Sequence, residues 1–235
     1  MIALKLLDTN ANPGNMKMAK TQRATENRRF ASLSLFPDNT ICPGSKAAGC
    51  MNGCLKLAGR GRFENVQDAR QRKTRLYHNH PELFMDILSD ELGKFSKLCH
   101  RMRKTGTVRL NVLSDIAFED YGIPQRFPEL DFYDYTKRAA RLNKTPDNYR
   151  LMFSASNEPK YQKQMAIGLA AAVPVSFVYR GPCPSEMFGR PVIDGDASDW
   201  VNVNAGNVAL ALTAKGPAKN DTGSFVYDFN TIARC

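Results

Sequence analysis

Six short runs rich in β-branched, aromatic and other apolar residues recur along the chain, at 30–36, 107–113, 131–135, 149–154, 174–179 and 208–214. Each is separated from the next by room for a helix or a loop, and this repetition constrains the fold more than any other feature. Strands joined through helices run parallel, because a parallel pair needs a crossover connection. Two of the intervening stretches read as helices. Residues 63–78 carry Phe63, Val66, Ala69, Leu76 and Tyr77 at roughly helical spacing, and Pro81 suits the first turn of a second helix running to about 104. That helix has a broad apolar face of Leu83, Phe84, Ile87, Leu88, Leu92, Phe95 and Leu98. Shorter helical pieces fit 124–127, 137–142 and 160–171. The expected fold is α/β, a partial (β/α)6-like barrel with a Cys-rich loop after the first strand. Residues 29–235 are expected to form this single domain, preceded by a basic segment over 1–28.

In barrels of this kind chemistry sits at the C-terminal ends of the strands. The first strand runs into a cysteine loop, the second into Ser114 and Asp115, and the third into Tyr135, Thr136 and Lys137. The fourth leads to Ser154, Ser156, Asn157 and Glu158, and the fifth to Arg180. Polar residues thus gather on one rim.

The sharpest motif is Cys42-x7-Cys50-x3-Cys54, in CPGSKAAGCMNGCLKLAGRGRF. Soft thiolates suit iron–sulfur clusters and zinc, and a glycine-rich loop lets backbone amides approach the sulfurs. A structural zinc site takes four ligands. Three close cysteines therefore imply an open coordination position or a distant fourth ligand, for which Cys99, Cys183, His78 and His80 are candidates. A loop without metal is the third alternative. The remaining cysteines, Cys99, Cys183 and Cys235, stand singly, which argues against a disulfide framework.

Other constellations are open to structural readings. Asp115 could bind an amine or hydroxyl, act as a base, or cap a helix starting near Ala117. Lys137 could hold a carboxylate or phosphate, Tyr135 could stack on a base, and Thr136 could simply cap a helix. Asp194, Asp196 and Asp199 in GRPVIDGDASDW lack the spacing of a calcium loop and read as an acidic turn, or as partners for Arg190 or Lys215. No GxSxG, HExxH or Walker A sequence is present. His78 and His80, two apart, do not share a helix face.

The formal charge of +10 favours a polyanionic partner, through a long-range field and counterion release. The excess concentrates at 17–29, 60–75 and 94–109, and Arg60, Arg62, Arg70, Arg72, Lys73 and Arg75 are the expected nucleic-acid contacts. No apolar run reaches the length of a membrane span; the weakly polar stretch 167–178 is short and broken by proline. The N-terminus lacks the pattern of a secretory signal, so the expected compartment is the cytoplasm.

The run from 41 to 226, with VQDARQRKT, VRLNVLSD, FYDYTK, FSAS, GRPVIDGD and LTAKGPAKNDTGSFV beside the cysteine loop, resembles a family of uncharacterised bacteriophage proteins of this length. More remotely, that family is similar to radical S-adenosylmethionine enzymes, partial barrels with a three-cysteine loop after the first strand. The resemblance implies Cys42, Cys50 and Cys54 as ligands of a [4Fe–4S] cluster whose fourth iron binds S-adenosylmethionine. With it, the strand-end residues Ser114, Asp115, Lys137, Ser154 and Ser156 are the expected pocket lining, the charge makes a nucleic acid or nucleotide the expected substrate, and a phage protein would act in the host cytoplasm. Both cysteine intervals are longer than the usual CxxxCxxC of those enzymes, and Leu55 follows the last thiol. The alternative is a nucleic-acid-binding or host-interaction protein without catalysis, stapled by zinc or a cluster.

Overall fold

The computed structural model describes residues 4–9 and 16–230; Cys235 lies outside them. The apolar runs form strands β2 (Arg28–Leu33), β3 (Thr105–Arg109), β4 (Asp131–Thr136), β5 (Tyr149–Ser154), β6 (Val175–Arg180) and β9 (Ala209–Thr213). These six lie side by side in chain order, and every neighbouring pair is parallel.

The sheet is larger than the repeat predicts, reaching ten strands. Strand β1 (Leu7–Asp8) adds antiparallel to β2 at one edge. At the other edge β8 (Arg190–Asp194) adds parallel to β9, with β7 (Glu186–Met187) antiparallel beyond it. Strand β10 (Val226–Asp228) pairs parallel with Val178–Arg180, past the point where β5 releases β6. These pieces are two to five residues long, too short for a periodic signal, and their pairing is made by the sheet edge rather than by their own sequence.

Helices α1 (Met16–Arg23), α2 (Glu64–Asn79), α3 (Pro81–Arg101), α4 (Ile123–Arg126), α5 (Gln162–Ala170) and α6 (Asp199–Val203) complete the α/β arrangement. Helix α3 buries Phe84, Leu88, Leu92, Phe95 and Cys99, spaced three and four apart, so its apolar stripe lies along the sheet. Each such side chain contributes roughly 1.5–3 kcal/mol on burial.

Successive strand residues enter different cores, as the two-residue period of a strand requires. Ala31, Phe132 and Leu151 join the α3 side, whereas Phe30, Tyr133 and Met152 pack with Met18 of α1 and Val203 of α6. Both faces are therefore covered, the usual condition of a parallel sheet. The N-terminal segment is tied to this core. Glu91 of α3 accepts from the Leu6 and Leu7 amides, and Lys73 of α2 donates to the Leu6 carbonyl at 2.6 Å.

A third core joins α5 to β5, β6 and β9, with Phe153 stacked on Tyr161 at 6.0 Å. A side chain on Gly168 would place Cβ 2.4 Å from the Phe153 ring. Alanine gains roughly 0.5–1 kcal/mol over glycine inside a helix, but overpacking costs about 1–3 kcal/mol. The ring is held by Tyr161 and has nowhere to go. Gly168→Ala is expected to lower stability in chemical denaturation, against the helix propensity.

Candidate metal centre and its cavity

The loop after β2 is fixed before it reaches the cysteines. Thr74 of α2 bonds both the amide and the carbonyl of Phe36, and Asp38 accepts from the Thr40 and Ile41 amides. Buried Ile41 then accepts the Asp115 amide at 2.7 Å, joining the loop to the segment after β3. The Cys42 thiol donates to the Leu113 carbonyl, and the Cys50 thiol to the Ser45 carbonyl. At Gly44 an added Cβ would lie 2.9 Å from the Lys137 Cβ, so the loop passes directly against the end of β4. Gly49 has φ +65 and faces Glu158, which leaves no side-chain alternative there.

Cys42, Cys50 and Cys54 line one cavity of about 250 Å³ at the C-terminal ends of the parallel strands. Its walls also include Ser114, Asp115, Lys137 and Ser154, four of the five expected cofactor contacts. Ser156 is placed elsewhere: it is fully buried and donates to the Ala48 carbonyl, supporting the loop from behind. The cavity further exposes Arg109, Asn111, Ser176, Thr213 and Lys215, with Val178, Leu212 and Phe225 as apolar walls. A larger groove of about 870 Å³ sits at the opposite ends of the strands, between the last turns of α3 and the start of β3. It holds Cys99 alone among the cysteines.

Beneath the cavity is a buried charged network. Arg141 donates to Asp115 through Nη1 and grips Glu119 with Nε and Nη2 at 2.7 and 2.9 Å. Asp115 also accepts from the Thr136 hydroxyl and the Lys137 amide. It caps no helix; it joins the exits of β3 and β4. The Lys137 ammonium donates to the Ser154 carbonyl and hydroxyl and to the Ala155 carbonyl, using its three donors. Burial pushes its pKa down, against the raising influence of Cys50, Asp115 and Cys42.

Asn111, within VRLNVLSD, is the hub that the sequence reading passes over. Its side chain accepts from Ser114 and the Ile116 amide and donates to Ile116, Asp134 and Tyr149. Arg109 reaches Asp199 at 2.7 Å, so Asp199 belongs to a buried ion pair and not to a solvated acidic turn. Asp196 does pair with Lys215, whereas Arg190 donates to the Leu169, Ala171 and Val173 carbonyls. Polar residues inside apolar runs, at Arg109 and Asn111, were the available signal for this network.

Burial pushes all three loop thiols up, for Cys42 with further contributions from Asp115, Cys54 and Cys50. For Cys50 the Lys137 ammonium works in the opposite direction. The thiols are thus protonated near neutral pH, and thiolate ligation would release protons. Among the described residues no three His, Cys, Asp or Glu side chains are grouped so as to hold one metal ion. Cys99, Cys183, His78 and His80 do not line the cavity. Cys99 is buried in α3, His78 bonds Asp38, and Cys183 and His80 are exposed.

The expected nucleic-acid contacts divide. Arg60, Arg62, Arg72 and Arg75 are exposed, but Arg70 turns toward the Lys56 carbonyl and Lys73 toward Leu6. Burial lowers the pKa of both inward groups. Among the described residues no helix is long and apolar enough to cross a membrane.

Fold and cavity define an α/β protein with a mostly parallel ten-stranded sheet and a three-cysteine pocket at its strand ends. The chain belongs to the family described as Gene product 88, whose model matches residues 5–228. The family is named by gene number, in keeping with the resemblance to uncharacterised phage proteins. No curated protein and no solved structure matches the chain.

Two outcomes follow from the buried charges. Arg141→Met leaves Asp115 and Glu119 without their cation and is expected to destabilise the protein by about 3–5 kcal/mol in denaturant titrations. Asp134 is pushed up to about 6 by burial, against Arg109 and the hydrogen bonds from Tyr149 and Asn111. A carboxyl with a raised folded-state pKa is stabilising below its ordinary value of 3.8 and loses that contribution as pH rises through about 6. The stability of the wild type relative to Asp134→Asn should therefore fall between these pH values.

Proposed function

We propose that this protein is an iron–sulfur protein on a partial β/α barrel, with Cys42, Cys50 and Cys54 as ligands of a [4Fe–4S] cluster. The observation that carries the reading is the convergence of three cysteines from one loop on a single cavity at the C-terminal ends of six consecutive parallel strands. Three soft thiolates in one glycine-rich loop suit a cluster that takes each on a separate iron and leaves a further iron open.

S-adenosylmethionine is the proposed second occupant, since three cysteine ligands would leave one iron of a cluster open. When bound, the cluster supplies one-electron chemistry and that open position. The chain's own residues do the rest. Lys137 offsets thiolate charge beside Cys50, and the Arg141–Asp115 pair holds the strand exits in place. Ser114 and Ser154 offer hydroxyls at the wall, and Leu212 and Phe225 restrict water. Ser156 serves the loop through Ala48. A nucleic acid or nucleotide is the proposed substrate, consistent with the +10 charge.

Anaerobically prepared protein should be brown and contain iron and acid-labile sulfide, and Cys42→Ala, Cys50→Ala and Cys54→Ala should each lose most of both. Colourless protein with stoichiometric zinc would overturn the proposal.

A further inference from the structure

Beyond Cys54 the chain makes two 3₁₀ turns, Leu55–Leu57 and Gly59–Arg62, the first of which begins at the cavity wall with Leu55. Leu55 lines the cavity yet stays 51% exposed, and beside it Leu57 and Phe63 are 44% and 50% exposed. Burying such side chains is worth roughly 1.5–3 kcal/mol each, so three within nine residues mark a surface left open for contact. The turn Gly216–Asn220 packs against this lip: a Cβ on Gly216 would lie 3.0 Å from the Ala58 Cβ, and Lys215 and Ala218 also line the cavity.

Cations stand beside the apolar group in the chain and on the turn packed against it. Arg60, Arg62 and Lys219 are exposed and make no ion pair among the described residues. The Arg62 guanidinium lies 5.9 Å from the Phe63 ring centroid. Glu64, in the first turn of α2, is the carboxylate next to them in the chain. An aromatic face among unpaired cations matches alternating bases and phosphates. A duplex hides its base faces, and an acidic peptide does not pair a flat ring with every negative charge as a single strand does.

We propose that the lip 55–63, with Lys219, docks single-stranded nucleic acid and delivers it to the cavity mouth. Arg60, Arg62 and Lys219 take phosphates, and Phe63 stacks on a base. The proposal rests on the reading above only for what happens inside the cavity; docking itself needs no cluster.

The test is fluorescence anisotropy of short labelled single-stranded DNA and RNA oligonucleotides with the full chain, repeated over a salt series. R60E/R62E should weaken binding at least about tenfold and reduce the salt slope by roughly 2. Phe63→Ala should weaken it several-fold without changing the slope, and Phe63→Trp should restore it. K97E/R101E, in the groove at the far ends of the strands, should leave binding unchanged. Equal losses from the two charge reversals, no binding at low salt, tighter binding of duplex, or equal competition by an acidic peptide would each overturn the proposal. Iron-loaded protein that binds no oligonucleotide overturns docking alone, and anaerobically prepared protein that contains no iron yet binds oligonucleotide overturns the cluster alone.

Discussion

The structure depends most on the Arg141 clamp. A guanidinium buried between Asp115 and Glu119 joins the segment after β3 to the segment after β4. Asp115 extends the connection to the cysteine loop through its amide on Ile41 and to Lys137 through its carboxylate. Opposite charges removed from water are held strongly only when their remaining donors and acceptors are satisfied. Here the guanidinium fork and the carboxylates are. The cavity wall is therefore built on a network that resists deformation, with the glycine-rich loop laid across it.

This network changes the meaning of the polar rim. Asp115 and Lys137, which stand at strand ends where cofactor contacts are expected, spend most of their hydrogen-bonding capacity on protein partners. Their position beside the thiols makes them electrostatic and positioning groups. Ser114 lines the cavity but its hydroxyl is likewise engaged, donating to Asn111. The Cys42 and Cys50 thiols, by contrast, donate to carbonyls, the Cys54 sulfur meets the Lys56 amide, and all three carry raised pKa values. They are the groups in the cavity whose chemistry a metal would change most.

The two basic regions also differ in kind. On α2, Lys73 and Arg70 turn inward because their long stems cover apolar surface while their heads find carbonyls. Arg60 and Arg62 occupy a 3₁₀ turn too short to bury a face, and so present their charges to solvent, Arg62 against the Phe63 ring. Charge density along the chain did not separate these cases, since it carries no information on which way a side chain points.

Local pattern was enough for the six parallel strands, the two long helices and the cysteine loop after the first strand. Strand alternation, the stripe from Phe84 to Cys99 and the glycines around Cys50 each depend on residues close in sequence. Tertiary structure decided what distant segments do to one another: Asp199 meeting Arg109 across 90 residues, Ser156 meeting Ala48 across 108, and β10 filling the end of β6 beside β5. Those pairings are set by which groups the folded sheet excludes from water together. Their partners carry no periodicity or motif that would have announced them. The sequence by itself determined that three thiols share a loop; only the fold decided that they share a cavity, because the wall opposite them comes from the ends of other strands.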